Sequence, residues 1–540
     1  AAANIGRLQW ISDAGPVDPL ARVSFDYHAD GSVATETRHQ LGRDYVIGYE
    51  YDGLGEVSAV TYPSGLVVRF ERDPAAPNRV LRIVAAEGGD TVLADPLRYT
   101  TAGRLAGFVA GNGVEYGIDR TPAVHGAFIE RVWAATSPWV SPPDLLDLSY
   151  APDPLGRIDF VADGVDPDRS VDYDYDPRGR LTSAVSDAWN LSWTYDVAGN
   201  RLSETRDGAT TNYNLAPGTN RLTSVTDAAT GGTVHFLEYD EFGSATRLDG
   251  LCLELDAADR LVRLRAAGAA GCDATANIVE EYEYDERSRR TVRRACGGES
   301  ATACSPTLSC TVFVHDRQDR ILAEHDCDTG AVLAEYVYLE GHRLLAARRA
   351  GSWYWYLGDH LGVPRKVVDE AGAVVWDGIW EPFGVVNETV SSVPQPFRLP
   401  GQYETRHPFF AAGQHLYDNH HRWYLPALGR YTQVDPARCA SAPGSGTYAY
   451  AEDDPVARVD WTGQAVHVID IPGTPAVCGP GIQECIRKLQ AIAAYPSPPP
   501  SQRPNADPSR CPDDDCYRKG IEWLRDALWS PDVVPLACWP

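Results

Sequence analysis

Residues 171–183 read VDYDYDPRGRLTS. The alternation that runs into Tyr175 has the period of a half-buried strand. Asp176 can accept a hydrogen bond from the backbone two residues on, and Gly179 supplies the positive φ of a tight turn. Arg180 can reach back to an acidic group or to an exposed carbonyl at the turn, and Leu181 opens the next strand. Variants recur as YEYDGLGEV at 49–57, WTYDVAGNRLSE at 193–204, LEYDEFGSATRL at 237–248 and YEYDERSRRTV at 282–292. Weaker copies stand at 25–33, 97–105, 148–158, 253–262 and 313–322. Each unit is a strand–turn–strand that cannot bury its own aromatic face, so neighbours must stack into one irregular ribbon of hairpins.

Composition agrees with a β wall wetted on one side. The chain of 540 residues holds 27 Tyr and 14 Trp against 12 Phe, and its formal charge is −27. A pI near 4.8 argues against nucleic acid as a partner, since phosphate binding needs a basic face. Lysine occurs only at 366, 488 and 519, so arginine carries the cation chemistry, and bidentate Arg–Asp contacts between repeats are expected. Base composition of the genome explains that bias equally well. Twelve cysteines suggest disulfides and an oxidising compartment. Cys296, Cys304 and Cys310 lie in a Gly/Ser/Thr-rich insertion that reads as a stapled loop. No spacing matches a zinc pattern, so neither metal nor cofactor is expected. No apolar run approaches the ~18 residues that span a membrane. The chain begins at Ala1, has no Met and shows no charged-then-apolar leader, which leads to the expectation of a processed fragment or a mature secreted form.

The repeats resemble the YD repeats of the Rhs (rearrangement hotspot) family, which includes the C components of insecticidal toxin complexes and the teneurins. The resemblance covers roughly residues 20–463. WYWYLGDHLGVPRKVVDEAGAVVWDGIWEPFG at 353–384, PGQYETRHPFF…GRYTQVDP at 400–436 and TYAYAEDDPVARVDWTG at 447–463 are similar to the signature that ends the family's repeats. It implies an all-β fold, a hairpin ribbon wound into a hollow shell around a C-terminal polypeptide. The expected organisation is a lead-in at 1–20, YD-repeat shell at 21–345, core-associated end region at 346–463 and a different module at 464–540. Within the repeats, RVWAATSPWVSPPDLLDLSY at 131–150 is expected to be an irregular crossing or a lid. The last module has five cysteines, a proline-rich run at 495–512 and two short amphipathic stretches at 480–494 and 514–529, so a small, partly helical, disulfide-stapled tail is expected.

The resemblance also implies one site. In self-cleaving relatives an aspartate pair cuts the chain just after a D-P-x-G-L phrase. GRYTQVDP places Asp435 at the first position, and Asp460-Trp461-Thr462-Gly463-Gln464 places Asp460 at the second, with the bond Gln464–Ala465 as target. One carboxyl must hold a proton while the other is ionised to activate water. Trp461, Gln464, Trp423 and Leu425 depart from the family's residues, the last two standing where acidic side chains are usual. The structural alternative has Asp435 and Asp460 holding turns and pairing with Arg422 or Arg430. Asp359 and His360 in GDHLGVP, and the cluster His415, Asp418, His420, His421, read better as structural groups than as catalysts or metal ligands. His467 and Asp470 are the tail's only suggestive acid–base pair.

Three functions follow. The first is a secreted or cell-surface shell that encloses or displays its own C-terminal segment, with a toxin as the candidate cargo and self-association or a second YD-repeat chain closing the shell. The second is an aspartyl-type autoprotease that releases a toxin tail. The third is surface recognition, with Trp353, Trp355, Trp376 and Trp380 stacking on glycans, although core packing suits rings in a WYWY strand better.

Overall fold

The computed structural model describes residues 8–12, 22–122, 128–137, 139–268, 271–406, 415–436, 447–464 and 466–468. Its main sheet has 33 strands, and each pairs antiparallel with the next in sequence, from Trp10–Ser12 to Val386–Ser391. This is the ribbon of hairpins expected from the repeats.

The recurrent phrase builds each turn by one rule. Asp176 Oδ1 accepts the N–H groups of Arg178 (2.8 Å) and Arg180 (3.0 Å), while Arg180 Nε donates to Oδ2 at 2.7 Å. Gly179 takes φ +84°. The register shifts by one residue just before the tyrosine, so Tyr175 faces Leu181, and such a bulge adds twist to the ribbon. Arg180 then reaches beyond its own turn and donates from Nη1 to the Asp196 carbonyl of the next repeat at 2.7 Å. The tyrosine of that repeat completes the link. The Tyr195 hydroxyl donates to the Leu181 carbonyl at 2.8 Å, and its ring lies 4.8 Å beneath the Arg180 guanidinium. Arg157 with Tyr175, Arg260 with Tyr284 and Arg320 with Tyr338 repeat both contacts. Tyr, Asp, Gly and Arg recur together because each repeat's arginine is capped by the following repeat's turn and tyrosine.

A direct test follows from this ladder. Tyr195→Phe removes one neutral hydrogen bond and is expected to cost about 1 kcal/mol. Arg180→Ala removes charge-assisted bonds and the ring contact and is expected to cost about 2–3 kcal/mol. Arg180→Lys should recover little, because a point charge cannot serve the aspartate and the carbonyl together. Urea-unfolding midpoints measure all three.

The ribbon coils back on itself. Arg38 pairs with Asp285 at 2.6 Å, the Tyr62 hydroxyl donates to the Tyr336 carbonyl at 2.7 Å, and Trp355 Nε1 donates to the Leu93 carbonyl at 2.9 Å. One core cluster accordingly joins early strands (Val33, Ile83, Leu93) with late ones (Leu345, Trp355, Val368) and with Val456. Trp353, Trp355, Trp376 and Trp380 are buried, at 6, 3, 0 and 6 % exposure. Core packing takes all four, which removes them as glycan-stacking rings.

Three details differ from the sequence reading. The boundary expected at 345/346 falls inside the strand Leu344–Arg349, and the meander continues to Ser391 before a separate four-stranded sheet begins at Tyr403–Thr405. Cys296 and Cys304 staple their loop, but Cys310 bonds Cys327 and Cys252 bonds Cys272. The stretch at 131–150 is neither crossing nor lid. Trp133 lies in the strand Ile129–Ala135, and Trp139 stands 92 % exposed on the loop that follows. Cys439, the five tail cysteines, the proline-rich run and both amphipathic stretches of the tail lie outside the described residues.

Candidate functional site

The end region folds over the last strands of the ribbon. Strands Leu416–Asn419, Arg422–Leu425 and Arg430–Tyr431 carry Tyr417, Tyr424 and Tyr431 into a cluster with Tyr336, Trp376 and Tyr450. This plate brings the two aspartates together. Arg422 Nη2 lies 3.0 Å from Asp460 Oδ2 and 3.3 Å from Asp435 Oδ2, and all three side chains are at most 4 % exposed. The Tyr431 hydroxyl donates to the same Asp460 oxygen at 2.9 Å, with its ring 3.6 Å from the Arg422 guanidinium. Burial pushes the Tyr431 phenol well above its ordinary pKa, so it stays a donor.

The segment expected to be cut is gripped from the same residues. Arg422 Nε donates to the Gly463 carbonyl, the Gln464 N–H donates to Asp460 Oδ1 at 3.0 Å, and Asn419 Nδ2 donates to the Asp460 carbonyl at 2.9 Å. Gly463 has φ +72°, and a Cβ there would sit 2.6 Å from the Asn419 carbonyl oxygen, so this position is closed to other residues. Ala465 lies outside the described residues. The arrangement fits a clamp on residues 460–464: Asp460 holds the Gln464 N–H directly, and Asp435 joins it through the shared Arg422, which also holds the Gly463 carbonyl.

Of the two arginines named as alternative partners, Arg422 takes both carboxylates. Arg430 instead donates to the Asn220 carbonyl at 2.9 Å and lies 4.6 Å over Tyr448. Asp359 caps its own turn, accepting the N–H groups of Leu361 and Val363 (2.9 and 3.0 Å) and pairing with Arg365 at 2.9 Å. His360 Nε2 bonds the Val456 carbonyl at 2.8 Å, tying the GDHLG turn to the end region. Asp418 pairs with Arg290 at 3.1 Å, and His420 Nε2 bonds the Arg287 carbonyl at 2.8 Å. His467 stacks on Trp461, while Asp470 lies outside the described residues.

Arg290 escaped the sequence reading. It is fully buried, 4.7 Å from the Phe313 ring, 5.3 Å from Tyr403 and 5.4 Å from Trp423. The signal was present: Leu181, Leu261 and Leu344 occupy the same place after the turn, so an arginine there is a charge at a core position.

Asp453 and Asp454 form a second buried acidic pair, following Ala451 and Glu452 in a run of left-handed residues, φ +51°, +55° and +62° through Asp453. Burial pushes each carboxyl up to about 7 from 3.8, against the pull of Arg201, Arg180 and Arg430 on Asp453, and of the Ala457 N–H and then Arg157 on Asp454. The folded state thus holds protons that the unfolded chain releases above about pH 4. This contribution to stability is complete below pH 4 and is lost as pH rises through 7. Thermal unfolding should show stability falling between pH 5 and pH 8, and Asp453→Asn with Asp454→Asn should flatten that fall.

Comparison with known proteins places this architecture. The teneurin YD-shell family model matches residues 145–456. Toxin protein Tse5 of Pseudomonas aeruginosa is 30% identical over 244 residues, covering 41% of this chain and 18% of that protein. Salivary gland surface protein 1 of Aedes aegypti is 30% identical over 195 residues, covering 34% of this chain and 5% of that protein. The chain therefore spans only a small part of the length of either relative. Among solved structures, TcdB2-TccC3-TEV superposes with TM-score 0.66 at 17% identity, over 82% of this chain and 24% of that one. The Photorhabdus luminescens Tc holotoxin pore gives TM-score 0.66 at 16% identity, over 82% and 23%. At such identities the likeness is one of fold. With the ribbon of YD turns and the match over most of its length, the chain belongs to the teneurin YD-shell family.

Proposed function

We propose that this chain is a secreted shell protein whose β wall encloses or displays the module at 464–540, a toxin-type cargo. The observation that carries this reading is the grip on residues 460–464: the end region fastens the chain there through Arg422 and Asn419, just ahead of the expected module. Similarity to Tse5 and to double-stranded DNA deaminase toxin A of Burkholderia cenocepacia (34% identical over 145 residues, 25% of this chain and 10% of that protein) supports a toxin relation. Limited proteolysis of the native protein tests it. A resistant core of roughly 20–463 is expected, and ready digestion throughout the repeats would defeat the reading.

A second reading, self-cleavage after Gln464, is favoured by Asp435 and Asp460 sharing Arg422, which also holds the Gly463 carbonyl. Water adds to the Gln464 carbonyl carbon, one carboxylate takes the proton of that water, the other carboxyl donates to the departing nitrogen, and the bond to Ala465 breaks. Intact mass decides. A native protein split at this bond, and a whole one in Asp435→Asn, is the expected pair of results, whereas an uncut wild type leaves the pair as a clamp.

A further inference from the structure

The chain leaves the described structure through an aromatic stack. Trp461 lies between His342 (ring centroids 5.4 Å apart, planes at 18°) and His467 (4.7 Å, 30°). His420 and His421 stack on each other at 4.1 Å and 12°, and the His421 N–H donates to the Thr462 carbonyl at 3.1 Å. Four histidines of the chain's 13 thus gather on the segment that joins wall to module.

We propose that this stack is an acid-opened latch on the exit of the C-terminal segment, closed by neutral imidazoles and released when they take up protons. The charges facing it favour that sign. His342 meets Arg320, Asp316, His467 and His420, while His421 meets His420, Arg422 and Asp285, and His467 meets Asp460. The carboxylates in this set are already engaged: Asp316 by Arg320 at 2.6 Å, Asp285 by Arg38 and Arg289 at 2.6 Å, and Asp460 by Arg422 at 3.0 Å. New imidazolium charges therefore meet arginines whose counter-ions are occupied. A protonated ring also gains attraction to the Trp461 face. Burial and the neighbouring cations outweigh it, for His342 and His421 are both held down to about 4.

A base with a depressed folded pKa contributes stability that is complete above pH 6.5 and is lost as pH falls through about 4. Asp453 and Asp454, pushed up to about 7, are already largely protonated at the top of this range, so their titration in the plate is separate from that of the strap. Histidine clusters are suited to such switching. This inference rests on the shell reading only for its consequence, exposure of the carried module.

Hydrogen exchange of the full chain, corrected for the intrinsic effect of pH, tests it on peptides covering 419–424 and 458–468. Protection of these amides is expected to fall at least about tenfold from pH 7 to pH 4.5, the effect of one pKa unit, while the strand Val171–Tyr175 is unchanged. His342→Phe with His421→Phe keeps aromatic rings and should hold protection flat. If the double variant does not fold, His342→Phe alone should still reduce the slope. Wild-type protection that does not change with pH, or an unaltered fall in the variants, overturns the latch. The shell reading is tested separately by limited proteolysis at neutral pH, so the two ideas can fail independently.

Discussion

Arg290→Ala is expected to destabilise the protein by about 3–5 kcal/mol, among the largest losses for a single substitution. The guanidinium sits among Tyr282, Phe313, Tyr403 and Trp423, pairs with Asp418 and donates to Thr405 Oγ1 at 3.0 Å. Truncation leaves Asp418 buried without its cation, empties a large volume and cuts the joint between the wall strand Arg290–Cys296 and the end plate. The cost lies in the unpaired charge more than in the pair itself. Arg290→Met combined with Asp418→Asn should therefore recover most of the loss, and a double-mutant cycle on denaturation midpoints gives the coupling directly. Equal losses in the single and double variants would show that packing alone matters there.

The second large effect is expected at Arg422. Alanine there removes the shared cation from two buried carboxylates at once and frees the Gly463 carbonyl, for about 3–5 kcal/mol. Asp435→Asn and Asp460→Asn should each cost less, about 1–3 kcal/mol, since the guanidinium keeps one acidic partner. Asp460→Asn is expected to be the more costly of the two, because Asp460 also receives Tyr431 and the Gln464 N–H. Calorimetry orders the three variants, and Arg422→Ala should also raise protease access to 460–464 while the repeats stay resistant.

How much of this was legible follows from the range of each interaction. The YD turn is local: Asp, Gly and Arg act within five residues, so residues 176–180 announce their own geometry. Degenerate copies keep it, with Asp259, Ser288 and Asp319 adopting φ near +62 to +63° where glycine stands elsewhere. The link to the next repeat was half legible, since the reach of Arg180 to a turn carbonyl was anticipated but the matching tyrosine was not. The coiling of the ribbon was not, because Arg38–Asp285 and Tyr62–Tyr336 join residues whose separation no repeat encodes. At the site, the family phrases marked Asp435 and Asp460, and the pattern even suggested arginine partners. That one guanidinium serves both carboxylates, with Tyr431 and Asn419 behind it, depends on how four short strands meet. Arg290 and Arg201 look like ordinary surface arginines until their register against Tyr284 and Tyr195 shows that they replace core leucines.

The YD phrases are rungs of one unbroken wall. Amide hydrogen exchange along the native full-length chain at neutral pH addresses it most directly. Slow exchange is expected in every successive strand from Arg22–Tyr27 to Val386–Ser391, interrupted only at the turn tips. Protected blocks separated by whole repeats that exchange at the rate of an unfolded peptide would mean separate small units and would contradict the wall.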